Sequence, residues 1–405
     1  MDRRLRWGLL ALVFLATTLN YLDRQIIALL KPMLEADLHW SDIDYGRVVG
    51  AFQIASALSL LAGGWFVDRV GLHRGYSAAV GIWSLAAAAH AAARTVLQFG
   101  AARFVLGAAE AVNTPASVKA VAAWFPDADR SVAVGVNNAA PNVGAIATPL
   151  VVPALALALG WRGAFLVTGL AGLVWLAVWL PARKLVEAGT ATVAAGEPTD
   201  WRAILTDRRT WTIAGAKLIT DQVWWFMLFW APDFLHRRYQ LGMDRIGAPL
   251  ALIYAMAAAG AFGGGWLAAR LLKAGWSLDR ARKTPLLIAA LCVLPAPLVL
   301  WVDDPWVAAG LVGLVLACHQ TVSTNIFAMS VDLFPMRRVG VVVGLGSTCG
   351  TLSGLALTEY AAVTLAHGGG YLPMFLICAG AYSAALVWVQ VMAPNLDRLR
   401  ATAAA

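Results

Sequence analysis

The sequence predicts an all-α polytopic membrane protein whose twelve transmembrane helices form two six-helix bundles. Three observations carry that expectation. The 405 residues are 60% hydrophobic and only 13% charged, against about 25% charged in an ordinary soluble domain, and the mean hydropathy is +0.69. Apolar runs of about twenty residues recur along the whole chain, the length a helix needs to cross a bilayer. Two pieces of the first half return in the second, in the same order.

The expected spans run over about 9–30, 46–67, 75–93, 98–122, 131–158 and 161–181, then 211–235, 248–272, 284–301, 306–333, 338–366 and 371–392. Continuous apolar runs of this length exclude a membrane β-barrel, whose strands alternate over about ten residues. The N-terminal run is too long for a signal peptide and lacks a clean small-x-small cleavage site, so it is expected to stay as the first helix. The polar, Gly/Thr-rich stretch 182–210 separates six spans from six. The expected domains are therefore a bundle over 1–181, a cytoplasmic linker over 182–210 and a bundle over 211–405.

The repeat is legible in two places. G-G-W-F-V-D-R at 63–69 returns as G-G-W-L-A-A-R at 264–270, and W-F-P-D-A-D-R-S-V-A-V-G-V at 124–136 returns as L-F-P-M-R-R-V-G-V-V-V-G-L at 333–345. The offsets are 201 and 209 residues. A six-plus-six repeat of this kind marks a secondary transporter with its site between the halves.

Orientation follows from the basic residues. With the N-terminus in the cytoplasm, 20 of the 31 Lys and Arg fall on the cytoplasmic side and 7, Lys31 among them, on the other; Arg24, Arg103, Lys119 and Lys217 fall within spans. This bias places both termini in the cytoplasm. It also explains the net charge of +8 as a rim facing anionic lipid headgroups, without nucleic acid. Cys292, Cys318, Cys349 and Cys378 lie inside apolar runs with no C-x-x-C spacing, so neither disulfides nor a metal site is expected. No ATPase loop, zinc site or haem ligand pair occurs, so the expected protein is not an enzyme, needs no cofactor and runs on a gradient.

Polar residues in the spans are the functional candidates, because a charge at mid-span costs at least about 2.5–3.5 kcal/mol. They are Asp23 and Arg24 in span 1, Arg103 and Glu110 in span 4, Lys217 and Asp221 in span 7, and His319, Gln320 and Asn325 in span 10. Spans 1, 4, 7 and 10 each open a three-helix unit. Glu359 in span 11 has no role that its neighbours dictate. Asp23 and Arg24 point about 100° apart on a helix, so each is free to meet Arg103 or Glu110, which share a face two turns apart. Two carboxylates among two arginines form a set whose protonation changes when an anion claims an arginine; the alternative is a static network that holds the first half together. Lys217 and Asp221, four residues apart, are expected to pair along their helix, as a structural ion pair or as a gate. Trp224 and Trp225 are the aromatic candidates for lining a sugar-sized pocket. His319 falls opposite Glu110 at the second offset, and Gln320 and Asn325 suit hydroxyls. At the cytoplasmic end of span 2, Asp68, with Arg69 and Arg74, is expected to latch one conformation by engaging a helix N-terminus or a nearby arginine. The glycine-rich segments 260–265 and 344–350 read as close-packing faces.

The element Gly64-x-x-x-Asp68-Arg69-x-Gly71 with Arg74 resembles the signature loop of the major facilitator superfamily; in the second copy Ala269 stands where the acid would be. N-Y-L-D-R, R-F-V-L-G-A-A-E-A-V-N-T-P-A (103–116) and W-F-P further resemble the anion:cation symporter family. K-L-I-T-D-Q-V-W-W-F-M-L-F-W with the later R-A-R-K-T resembles its hexuronate branch. The resemblance covers about residues 5–392. It implies Asp23 and Glu110 as the proton-coupling carboxylates, Arg24 as the contact for a substrate carboxylate, and Arg103 as the arginine that times them. Tyr21, Asn113 and Asn325 follow as neighbouring pocket residues. Val112 and Asn113 depart from the family pattern after the glutamate, a place where sugar-acid preference is set. The implied protein is a monomeric symporter of a hexuronate (galacturonate or glucuronate) and H+ in a bacterial inner membrane. Its rivals are an aldonate or aromatic-acid symporter and, in another class, a non-transporting membrane receptor.

Overall fold

The computed structural model describes residues 2–190 and 201–404; of the expected linker, 191–200 lies outside the described residues. Among them the chain is entirely helical and divides into two compact units, Met1–Gly196 with Leu241–Ala251, and Glu197–Gln240 with Leu252–Ala405.

The first unit contains α1 (Arg3–Leu38), α2 (Asp42–Val70), α3 (Leu72–Ala89), α4 (Val96–Glu110), α5 (Asn113–Trp124), α6 (Asp127–Trp179) and the short α7 (Arg183–Thr190). A capping box starts α2: the Ser41 hydroxyl accepts from the Asp44 N–H and the Asp44 carboxylate accepts from the Ser41 N–H, satisfying two end donors at once. Thr95 caps α4, its hydroxyl accepting from the Gln98 N–H. α6 is 53 residues long, roughly 80 Å of helix, more than twice a hydrocarbon core. Gly160 divides it, with φ 69° and ψ 175°, a conformation that a side chain would strain. α6 packs on α1 and α3, and α2 packs on α4.

The expected single helix over 98–122 is broken. α4 stops at Glu110, Ala111 and Val112 form a turn, and α5 begins at Asn113. Pro115 supplies the reason: it lacks an N–H, and in a continuous helix its ring would press on the carbonyl four residues back.

The second unit contains α8 (Trp201–Thr206), α9 (Arg208–Tyr239), α10 (Gly247–Lys273) from Leu252 onward, α11 (Leu278–Cys292), α12 (Pro305–Leu333), α13 (Met336–Ala366), α14 (Leu372–Met392) and α15 (Leu396–Ala404). Asp304 caps α12, accepting from the Trp306 and Val307 N–H groups at 2.7 and 3.0 Å, with Pro305 at the first helical position where its missing N–H costs nothing. α9 packs on α12, α13 and α14. Glycines of α13 make the closest approach possible: Gly346, Gly350 and Gly354, one face at four-residue spacing, lie against Lys217, Asp221 and Trp225 of α9. The expected packing face at 260–265 also forms, with Gly260, Gly264 and Gly265 of α10 against Ala317, Thr321 and Thr324 of α12.

α1 and α9 end alike. The residues after them, His39 and Gln240, are the two non-glycine residues with left-handed backbone among those described, at φ 53° and 52°. They are 201 residues apart, the first repeat offset, so the repeat extends to the ends of these helices.

Among the described residues seven helices are long and apolar enough to cross a membrane, or eight if the two parts of α2, bent by 57°, count as one span. Leu, Val, Phe and Trp side chains lie bare over both units, Leu97, Leu58, Phe262 and Val387 among them, far more apolar surface than a water-facing chain leaves.

Candidate functional site

In the first unit the polar candidates of α1 and α4 meet. Arg24 Nε donates to Glu110 Oε2 at 3.2 Å, and Arg24 Nη2 donates to Asn20 Oδ1 at 3.2 Å. The guanidinium stands 4.7 Å from the ring centre of Tyr21 and 5.4 Å from that of Phe52, so aromatic faces share in holding its charge. Glu110 is the last residue of α4, immediately before the break. Its second oxygen, Oε1, is buried without a hydrogen-bond partner among the described residues. Breaking such a buried pair from one side typically costs about 3–5 kcal/mol, because a charge is left uncompensated.

Arg103 is fully buried, at 0% exposure, and does not reach a carboxylate by hydrogen bond. Its Nη1 donates to the main-chain carbonyls of Asp23 and Arg24 at 3.2 and 3.4 Å, fixing the turn of α1 that carries both. Asp23, 1% exposed, has no well-formed hydrogen bond to either carboxylate oxygen among the described residues; the Thr168 hydroxyl lies beside it and also reaches the Phe165 carbonyl at 3.2 Å. Asn113 is spoken for: its Oδ1 accepts from Tyr76 at 2.6 Å and its Nδ2 donates to Thr17 at 3.1 Å.

In the second unit Lys217 Nζ lies 2.8 Å from Asp221 Oδ2 and donates to Ser323 at 3.2 Å, with the Phe327 ring 4.4 Å away. His319, on α12, brings Nε2 to 3.9 Å from Asp221 Oδ1 and stacks on Trp224, ring centres 5.6 Å apart. Trp225 points elsewhere, stacking on Phe229 and packing on Gly354. Asn325 is buried and donates to the Gly264 and Thr321 carbonyls, which ties α12 to α10. Gln320 and Glu359 are half-buried.

The rim residues correct one expectation. Among the described residues Asp68 pairs with neither a helix N-terminus nor an arginine; its partner there is Lys119 of α5, at 2.6 Å. Lys119 is thus a rim residue rather than an intramembrane one, since α5 is short and its side chain reaches the exposed end of α2. Arg69 folds over Trp65, 5.7 Å from its ring, and Arg74 is exposed. A second correction concerns Lys31, expected outside the first span: α1 continues to Leu38, and Lys31 is fully buried between Glu35 (2.6 Å) and Asp42 (2.9 Å).

His90 and Gln25 escaped the sequence reading. Nδ1 of His90 faces the Ala86 and Ala87 carbonyls at 2.7 and 3.2 Å, so the proton sits there and Nε2 is a bare, buried acceptor. Gln25 is buried with its amide unpartnered among the described residues. Their signal was a lone polar residue in an apolar run.

A helical protein with long apolar helices, bare apolar surface and buried charge at the heart of each unit is a polytopic membrane protein. The comparisons with known proteins go further: the family model of the major facilitator superfamily matches residues 13–358, and the chain belongs to that superfamily, whose members are transport proteins and not enzymes. The hexuronate transporter of Escherichia coli K12 is 29% identical over 396 residues, covering 93% of this chain and 91% of its own. The D-galactonate transporter of Escherichia coli O6:H1 is 27% identical over 416 residues, covering 95% of each chain. Among solved structures, an inward-facing, occupied crystal structure of a bacterial homologue of the human lysosomal transporter Spinster superimposes with TM-score 0.73 over 100% of this chain and 98% of its own, at 18% identity.

Proposed function

We propose that this chain is a proton-coupled symporter that imports a hexuronate, galacturonate or glucuronate, across a bacterial inner membrane by alternating access. It has twelve spans, in bundles over 1–181 and 211–405 joined by a cytoplasmic linker over 182–210, and both termini are cytoplasmic. The observation that carries the reading is the buried contact between Arg24 and Glu110. An incoming carboxylate needs a cationic partner, since its desolvation is otherwise prohibitive, and a guanidinium offers two parallel donors. If the substrate takes Arg24, Glu110 is left buried and unpaired, and binding a proton removes that cost. Asp23, buried on the same helix, holds a second proton. Arg103 keeps the backbone of both α1 residues in place. Charge entering as an anion is thereby matched by protons, and both leave together on the cytoplasmic side. The similarity to a hexuronate transporter over nearly the full chain supports the substrate class.

The test is uptake of labelled galacturonate into proteoliposomes with and without an inward proton gradient. Gradient-driven accumulation is expected; absence of uptake of either hexuronate overturns the substrate. A second reading, an aldonate such as galactonate, rests on the comparable similarity to a D-galactonate transporter, and competition between galacturonate and galactonate decides between them.

A further inference from the structure

In the polar cluster of the second unit a carboxylate oxygen and an imidazole nitrogen stand apart at a definite spacing. Lys217 neutralises Asp221 through Oδ2 at 2.8 Å, so the pair does not repel an anion. Oδ1 is left poorly served. The Thr220 hydroxyl is 3.5 Å away and already donates to the Ala216 carbonyl at 2.9 Å, and His319 Nε2 stands at 3.9 Å. That separation is too long for a hydrogen bond. It suits a third group, because one hydroxyl oxygen about 2.8 Å from each atom would accept from the imidazole and donate to the carboxylate. His319 is 3% exposed and its Nδ1 has no partner among the described residues, so the ring carries unmet hydrogen-bonding capacity, while the Thr220 backbone also lies beside it. The half-buried Trp224 lies flat against it, with 24° between the ring planes. An indole face beside a paired acceptor and donor is the chemistry that recognises a sugar ring, whose hydroxyls bridge and whose C–H faces pack on aromatics. The glycine at 350 lets α13 close over Asp221, which fixes the carboxylate from behind. Tyr382 of α14 stands at the ring's other side, 6.3 Å from it.

We propose that Asp221 Oδ1 and His319, backed by Trp224, form a hydroxyl-reading subsite that selects polyhydroxylated acids over bare carboxylates. The subsite rests on the sugar-acid reading above and deepens it: within the second unit, His319 with Asp221 reads the hydroxyls of the acid. Lys217 acts through Asp221 as a positioning residue.

The experiment compares two anions of like ring size and charge, D-galacturonate and cyclohexanecarboxylate, as ligands of the purified full chain. Native protein is expected to prefer galacturonate strongly. In His319→Phe, which keeps a ring on Trp224 but no nitrogen, galacturonate binding falls about 10- to 100-fold, while cyclohexanecarboxylate binds as before or better. His319→Gln, which restores a hydrogen-bonding side chain, recovers part of the preference, and it serves as the deciding variant should His319→Phe fail to fold. Equal weakening of both anions means a structural role and overturns the subsite. An unchanged preference in the folded variant also overturns it. If native protein binds no hexuronate or aldonate, the failure lies with the sugar-acid reading instead.

Discussion

α1 and α9 occupy equivalent places in the repeat, share a left-handed cap, and carry opposite chemistry. Shifting by 201 residues, Asn20, Asp23 and Arg24 fall on Asp221, Trp224 and Trp225, while the 209-residue offset carries Arg103 and Glu110 to Val312 and His319. The contacts follow the shift. Asn20 reaches the Glu110 carbonyl at 3.5 Å, and Asp221 approaches His319 at 3.9 Å. The same helix crossing is thus built as an arginine–carboxylate pair in one unit and as an imidazole on an indole in the other. The helix bearing each partner differs too: α4 ends at Glu110, the residue that makes the contact, while α12 runs unbroken through His319. Duplicated scaffolds keep where side chains meet and leave free what they are, so charge handling and ring recognition can be divided between copies.

The largest effect should come from removing the ionic member alone. Glu110→Gln is expected to reduce gradient-driven accumulation by about 100-fold or more while counterflow exchange persists. His319→Gln, its counterpart, should leave the dependence on the gradient intact. Proteoliposome uptake with and without a gradient reads both, and equal loss in the two variants would erase the division of labour.

Arg103 has only Val312 opposite it, so its loss should be felt in one unit alone. Arg103→Met removes the hold on the Asp23 and Arg24 carbonyls and should lower stability by about 1.5–3 kcal/mol, seen as an earlier thermal midpoint in detergent. Gly350→Ala probes the other unit: a methyl there overlaps the Asp221 carboxylate, for a cost of about 1–3 kcal/mol. Gly346→Ala, whose methyl would stand 3.4 Å from Lys217 Cγ, should be close to neutral in the same measurement.

The smallest effect belongs to the rim. Asp68 and Lys119 pair at 2.6 Å, and both equivalents, Ala269 and Ala328, are uncharged. The ion pair is therefore missing from the second unit as a whole, donor and acceptor together. Yet Arg69 and Arg270 still fold over Trp65 and Trp266, at 5.7 and 5.2 Å, so the loop itself is kept. Asp68→Asn should change stability by less than about 1 kcal/mol, a difference that shrinks further in high salt.

Much of this was legible in the chain. Apolar run length located the helices, and charges inside those runs pointed to Arg24, Glu110, Lys217 and Asp221, because such residues are tolerated in hydrocarbon only with a partner. Local spacing even named the Lys217–Asp221 pair, four residues apart on one face. The break after Glu110 was written in Pro115 but hidden by the apolar run around it. What hydropathy could not disclose was partnership over distance. Lys31 looks like an exposed helix end until the chain turns back and Asp42 arrives beside it. Asp68 finds a lysine 51 residues on, and Asn113 and Asn325 spend their amides inside the units. Those choices depend on which faces pack together, and one-dimensional patterns carry the face of a helix but not its neighbour.

The distance along the chain between Arg24 and Glu110, 86 residues, has a consequence for synthesis. At about 5–20 residues per second, α1 emerges roughly 4–17 s before the glutamate that neutralises its arginine, and Arg103, which clasps its backbone, is made only shortly before that glutamate. During that interval the helix carries an aspartate and an arginine without a countercharge from another helix, Arg24 having only Asn20 and Tyr21 of its own helix beside it, and a charge in lipid costs at least about 2.5 kcal/mol. The first helix is therefore a poor membrane resident until the fourth is made. Its final insertion is an act of assembly, timed by the ribosome.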